Sequence, residues 1–212
     1  MNEAIFGFIG VIVGAIIPWA KEAWTARSQR AKNAHYLAVR VVCVLEDFAD
    51  QCAKVVADDG YGIDGRPAGL TKDGEEFCEV TARLPDQPDF PADVDWKSID
   101  SDLMSRALML GLAQRRIDQE IHDAFEFSTL PDNAPIFKAR RVGYAKLGME
   151  AQSVSNLLRE KYGIQKSEIV SADRQKLFRE TLVELESGEA AQDDYDLSSE
   201  GQATHSQRTI AS

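Results

Sequence analysis

Hydrophobic and polar positions divide this chain into segments of different period. Residues Ala4 to Ala20, AIFGFIGVIVGAIIPWA, carry no charge and no polar face. As a helix this run reaches roughly 25 Å, the short end of what spans a bilayer. From Asn33 to Ala57 the apolar residues are Leu37, Val41, Leu45, Phe48, Cys52 and Val55, spaced by three or four. That is a single helix stripe of near-heptad type. No proline or glycine falls between Trp19 and Asp59, so the apolar run and the first body helix are expected to form one long rod. Pro18 is expected to kink it and Asp58-Asp59-Gly60 to end it.

Three further stripes follow. The second helix is expected from near Trp96 to Phe127, capped by Ser98 or Asp100, with Ile99, Leu103, Ala107, Leu110, Ile117, Ile121 and Phe125 inward. Pro131 and Pro135 then break the chain. The third runs from about Ile136 to Tyr162, with Val142, Ala145, Met149, Val154, Leu157 and Leu158 inward and Gly163 as its C-cap. The fourth runs from about Ser171 to Glu186 on Leu177, Phe178, Leu182 and Leu185, with Ser171 as cap. Four amphipathic helices that each need a partner specify an all-α, antiparallel bundle.

Residues 58–97 read differently. Glycines lead, prolines follow, and acids outnumber bases. A loose loop long enough to cross the bundle is the default, and a small hairpin turning at Lys72-Asp73-Gly74 is the alternative. The organisation is therefore a membrane anchor at 1–24, a helical bundle at 25–187 with a loop-rich insertion at 58–97, and an acidic tail at 188–212. Asp193, Asp194, Asp196 and Glu200 load that tail, which is expected to be disordered.

Charge sets the orientation. Lys21, Arg27, Arg30, Lys32 and Arg40 follow the apolar run against one acid, Glu22, while Glu3 is the one charged side chain before it. An excess of Lys and Arg marks the cytoplasmic side, so the N-terminus is expected outside and the body in the cytosol, at a cell inner membrane. Trp19, Lys21, Trp24, Arg27, Arg30 and Lys32 are the candidate contacts with the membrane surface. A cleavable signal peptide would carry a basic start and a small-residue cleavage triplet, and neither is present. An interfacial helix needs one polar face, which this run lacks; a signal peptide and a buried core helix remain the alternatives for so short a run. Gly10 and Gly14, four apart, form a small-residue pair through which two anchors can approach, so a homo-oligomer is a candidate assembly.

The net charge of −11 argues against nucleic acid as a partner of the body. Three cysteines fit a reducing compartment, and Cys43 and Cys52, nine residues apart, point to opposite faces of one helix. Lys138, Arg140, Arg141 and Lys146 form a basic start to the third helix, read first as an ordinary solvated face and alternatively as a match for an acidic partner, including the chain's own loop or tail. Asp118, His122 and Glu126 share one helix face at spacing four, the one arrangement resembling a metal or proton-relay site; a solvated charged face is the plainer reading. The Asp and Gly cluster before Gly65 lacks the acids of a calcium loop. No phosphate loop, dinucleotide fingerprint, zinc-protease motif or nucleophile elbow occurs. No catalytic, cofactor or metal residue is therefore assigned, and no cofactor is expected.

Around Asp95-Trp96-Lys97-Ser98-Ile99-Asp100 and Leu157 to Gly163 the helix texture is similar to that of small single-pass bacterial proteins of unknown function. This resemblance implies no activity, cofactor or site. The expected function is a membrane-anchored helical interaction or scaffold module with an unidentified protein partner. The rival is a membrane-tethered enzyme or ligand sensor with a pocket inside the bundle.

Overall fold

The computed structural model describes residues 2–61, 65–128, 133–165, 172–185 and 187, with side chains from Trp19 onward apart from Ala20. The fold is mostly helical. Helix α1, Asn2–Val56, is a single helix of 55 residues, about 80 Å at 1.5 Å per residue, and passes Pro18 unbroken. Helix α2 is Ser101–Phe127 and α3 is Ala134–Tyr162. Residues 172–185 form a further helix, α4. Among the described residues no helix is long and apolar enough to cross a membrane. The run 4–20 lies within α1, but apart from Trp19 its surroundings, those of Gly10 and Gly14 included, fall outside what is described. Residues 188–212 lie outside the described residues too.

The six residues of the α1 stripe, Leu37, Val41, Leu45, Phe48, Cys52 and Val55, are all buried. They face α3, which packs against α1 on one side and α2 on the other. Polar contacts fix the directions. Along α1 and α3, Ser155 Oγ donates to Glu46 Oε1 at 2.6 Å and Arg141 Nε to Val56 O at 3.2 Å. Along α2 and α3, Arg106 Nε donates to Glu150 Oε1 at 2.8 Å and Tyr144 OH to Asp118 Oδ1 at 2.6 Å. Helix α3 therefore runs antiparallel to both neighbours, and α1 runs parallel to α2.

That parallel pair needs a connection spanning the body, and residues 57–100 supply it. They are pinned at intervals: Arg40 to Asp93 at 2.9 Å, and Gln114 Nε2 to Pro85 O at 2.7 Å. Leu84, Phe90, Val94 and Trp96 pack onto the core. The loop is not wholly irregular. Gly69–Leu70 (β1) and Glu76–Phe77 (β2) pair antiparallel, and the chain reverses through Thr71–Gly74, with Gly74 at φ +84°. The Asp-Gly turn chemistry thus prevails over the default loop. Val80 lies beyond β2 and is exposed.

Several expected positions shift. Asp100, not Ser98, caps α2, its side chain accepting from Asp102 N and Leu103 N. Trp96–Ser98 is a separate 3-10 turn. Pro135 does not break the chain but sits in the first turn of α3, where its missing N–H costs nothing. Gly163 caps α3 with φ +66° as expected. Phe125 and Leu157 are exposed rather than inward. Phe125 lies in the last turns of α2, close to where the chain leaves it. Leu157 falls outside the two faces that α3 presents to its neighbours.

Because α3 is sandwiched, its buried set covers about half of its circumference rather than a narrow stripe, and includes Gly143, Tyr144, Leu147, Gly148, Ala151, Gln152 and Ser155. Two are glycines for reasons of space. A Cβ at Gly143 would collide with Ile117, and one at Gly148 with the Phe178 ring of α4. Phe178 is fully buried over that gap. Gly148→Val is therefore expected to lever α4 off the body, costing about 1–3 kcal/mol as an overpacked contact. Hydrogen exchange at 172–185 should rise, and the cost should shrink in a Phe178→Ala background. Additive costs would place the clash elsewhere.

Candidate interaction surfaces

Buried polar groups in this body join elements. Asp58, just past α1, accepts from Thr81 Oγ1 at 2.7 Å, Ala82 N at 2.8 Å and Thr81 N at 3.1 Å. Arg140 of α3 approaches the same carboxylate at 3.4 Å, and both side chains are buried. Burial alone would raise the Asp58 pKa, but the bonds from Ala82, Thr81 and Gly60 outweigh it and hold the carboxyl below its usual range. Arg140 also donates to Ala82 O. This lock ties the end of α1 and the loop to α3.

A second lock holds α4. Arg174 is buried and donates to Asp50 Oδ1 at 2.6 Å, to Glu46 O at 2.9 Å and to the Glu46 carboxylate. Burial pushes Glu46 up, while the bonds from Ser155 and Arg174 pull it below its ordinary value. Near the other end of α4, Arg141 Nη2 lies 3.4 Å from Glu184 Oε2. Two of the basic residues at the start of α3, Arg140 and Arg141, therefore meet acids of this chain, one in the loop and one in α4. Lys146 is exposed.

The face at Asp118, His122 and Glu126 does not assemble into a site. Asp118 turns to the buried Tyr144 hydroxyl, whose pKa burial and the carboxylate together raise. His122 stays exposed, 3.5 Å from Glu126. Among the described residues no group of His, Cys, Asp or Glu is placed to hold a metal ion. Burial raises the Cys52 thiol pKa well above its ordinary value, consistent with a small core residue. Cys43 is exposed and Cys78 half-buried, so Cys52 alone of the three is a core residue.

Two surfaces stand out. The first is the N-terminal part of α1. Trp19 and every residue from Lys21 to Asn33 are exposed, and burial begins at Ala34. The candidate membrane contacts Trp19, Lys21, Trp24, Arg27, Arg30 and Lys32 all lie on this stalk, about 20 Å of helix with solvent on every side. His35 Nδ1, 2.9 Å from Tyr162 O, marks the stalk's junction with the end of α3.

The second surface is an apolar groove of about 550 Å³ at the opposite end of the body. It lies among the end of β2 and the stretch after it (Phe77, Cys78, Val80), the end of α2 (Phe125) and the start of α3 (Ile136). Phe125 is 64 % exposed beside it, and Phe127 in the same final turns is 87 % exposed. Sequence reasoning missed this groove. The available signal was two phenylalanines close to a proline-flanked helix end, and the periodic stripe assigned Phe125 to the core. No protein family, characterised protein or solved structure compared with this chain matches it.

Proposed function

We propose that the chain is a single-pass, membrane-anchored interaction module whose helical body stands off the bilayer on a helical stalk. The observation that carries this reading is α1. One helix emerges bare from the body at Ala34 and continues to Asn2, and its sequence ends in the uncharged run Ala4–Ala20. Such a run at the end of a solvated stalk is costly in water and at home in hydrocarbon. Lys21, Arg27, Arg30 and Lys32 then meet anionic headgroups on the cytoplasmic side, with the body inside and the N-terminus out. Gly10 and Gly14 are the pair through which two anchors would associate.

The body supports an interaction role. Its core is filled by aliphatic and aromatic side chains, and its buried ionic groups are spent joining elements. The groove opens at the surface, on the end of the body farthest from the stalk. The rival reading, an enzyme or sensor with a pocket inside the bundle, would draw support from a polar cavity holding Asp118 or His122. Asp118 is engaged by Tyr144 and His122 stands in solvent.

Membranes extracted with alkaline carbonate are expected to retain the full chain, and a reporter active only in the periplasm, fused to Ser212, should stay silent. Release by carbonate would sink the anchor, and a strong reporter signal would reverse the orientation. Affinity capture from solubilised membranes should return a protein partner at stoichiometric yield. Turnover of a small molecule by the purified chain would favour the rival.

A further inference from the structure

We infer that the groove at the far end of the body docks a segment of another protein that presents an aromatic or branched apolar side chain flanked by Lys or Arg. This rests on the interaction-module half of the reading above.

The apolar half of the inference comes from Phe125, Val80 and Ile136, which leave a concave apolar floor open to solvent. Phe125 itself is 64 % exposed on that floor. Large exposed aromatics beside a preformed groove are what anchors of a partner fill. The basic half comes from charge. Among the described residues that line the groove, Glu79 is the one with a charged side chain. Glu126 follows Phe125 and is exposed, with His122 3.5 Å away. Lys138, the base two residues beyond Ile136, is already engaged in an interaction of its own. The rim therefore favours a cationic segment and repels an anionic one.

Charge also argues against other occupants. Residues 188–212 carry Asp193, Asp194, Asp196 and Glu200 and would meet Glu79 with like charge. A second copy would bring the same acidic rim, and its basic stalk lies at the other end of its own body. A bilayer entered by the run 4–20 lies a body length away from the groove.

The test uses the full chain in phosphatidylcholine nanodiscs, with empty nanodiscs as background. The probes are two fluorescein-labelled hexapeptides, Lys-Phe-Lys-Leu-Phe-Lys and Glu-Phe-Glu-Leu-Phe-Glu, read by anisotropy. The lysine peptide is expected to bind saturably, about tenfold or more tighter than the glutamate peptide, and less tightly as salt rises. Glu79→Lys should reverse the order of the two peptides. Phe125→Ser should weaken the lysine peptide about tenfold, the loss of one anchor's contact. Both positions are exposed, so unchanged melting temperatures will show that the fold is intact.

Equal affinity for the two peptides, or a preference that survives Glu79→Lys, overturns the proposal. So does much tighter binding after deletion of residues 188–212, which would assign the groove to the chain's own tail. Pairing of the chain that Phe125→Ser abolishes would assign it to a second copy. Failure of the anchor in carbonate leaves the peptide preference standing, whereas failure of the preference leaves the anchor standing.

Discussion

Leu110→Asp is expected to abolish the cooperative unfolding transition of the helical body while the chain remains in the membrane pellet. Leu110 is 2 % exposed and lies on the face of α2 that packs against α3, with Leu103 and Ala107 above it and Gln114 below. Losing a buried leucine costs about 2–5 kcal/mol before the new group is counted. A carboxylate there has no cation waiting for it, and burying it adds several kcal/mol whether it ionises or neutralises. The sum approaches the whole stability of an ordinary domain, about 5–15 kcal/mol. Leu108→Asp is the control, because Leu108 is exposed on the opposite side of the same helix. It should change stability by about 0.5 kcal/mol or less. Thermal melts followed by helical circular dichroism check both. An unchanged transition in Leu110→Asp would overturn the register of α2.

Asp58→Ala is expected to cost about 3–5 kcal/mol, the usual penalty for removing one partner of a buried ion pair. The change strands the Arg140 guanidinium and frees donors of Thr81 and Ala82 at once. Asp58→Asn should cost less, since one acceptor oxygen survives. The pH dependence has a definite sign. The folded state holds the Asp58 pKa below its ordinary value of about 3.9. Its contribution is therefore complete above that value and is lost as pH falls through the lower folded value. Urea unfolding of wild type and Asp58→Asn should differ most at neutral pH and converge as pH falls through the depressed folded value. Glu46 is depressed as well, so wild type loses stability in acid from more than one group. The difference between the two chains isolates Asp58, and a gap independent of pH would refute its role.

Several features were legible in the order of residues. The stripe from Leu37 to Val55 is buried throughout, because α1 offers one face to the body and one face is what a period of 3.6 encodes. The uninterrupted rod, the Asp100 cap and the Gly163 cap follow from backbone chemistry that acts within a few residues.

What the tertiary structure alone decided is what depends on neighbours. Helix α3 is buried over about half of its circumference, so a narrow stripe describes it poorly, and its closest contacts run through Gly143 and Gly148, which no hydrophobic pattern registers. Phe125 carries the same apolar side chain as a core residue and stays in water because of where the chain turns away from it. The locks of Asp58 with Arg140 and of Glu46 with Arg174 join residues 82 and 128 positions apart. A charged residue in sequence gives no sign of whether a counter-charge will meet it out of water. Period and capping are local properties of the backbone and can be read along the chain. Coverage, close approach and charge pairing arise between elements and exist only once the helices have packed.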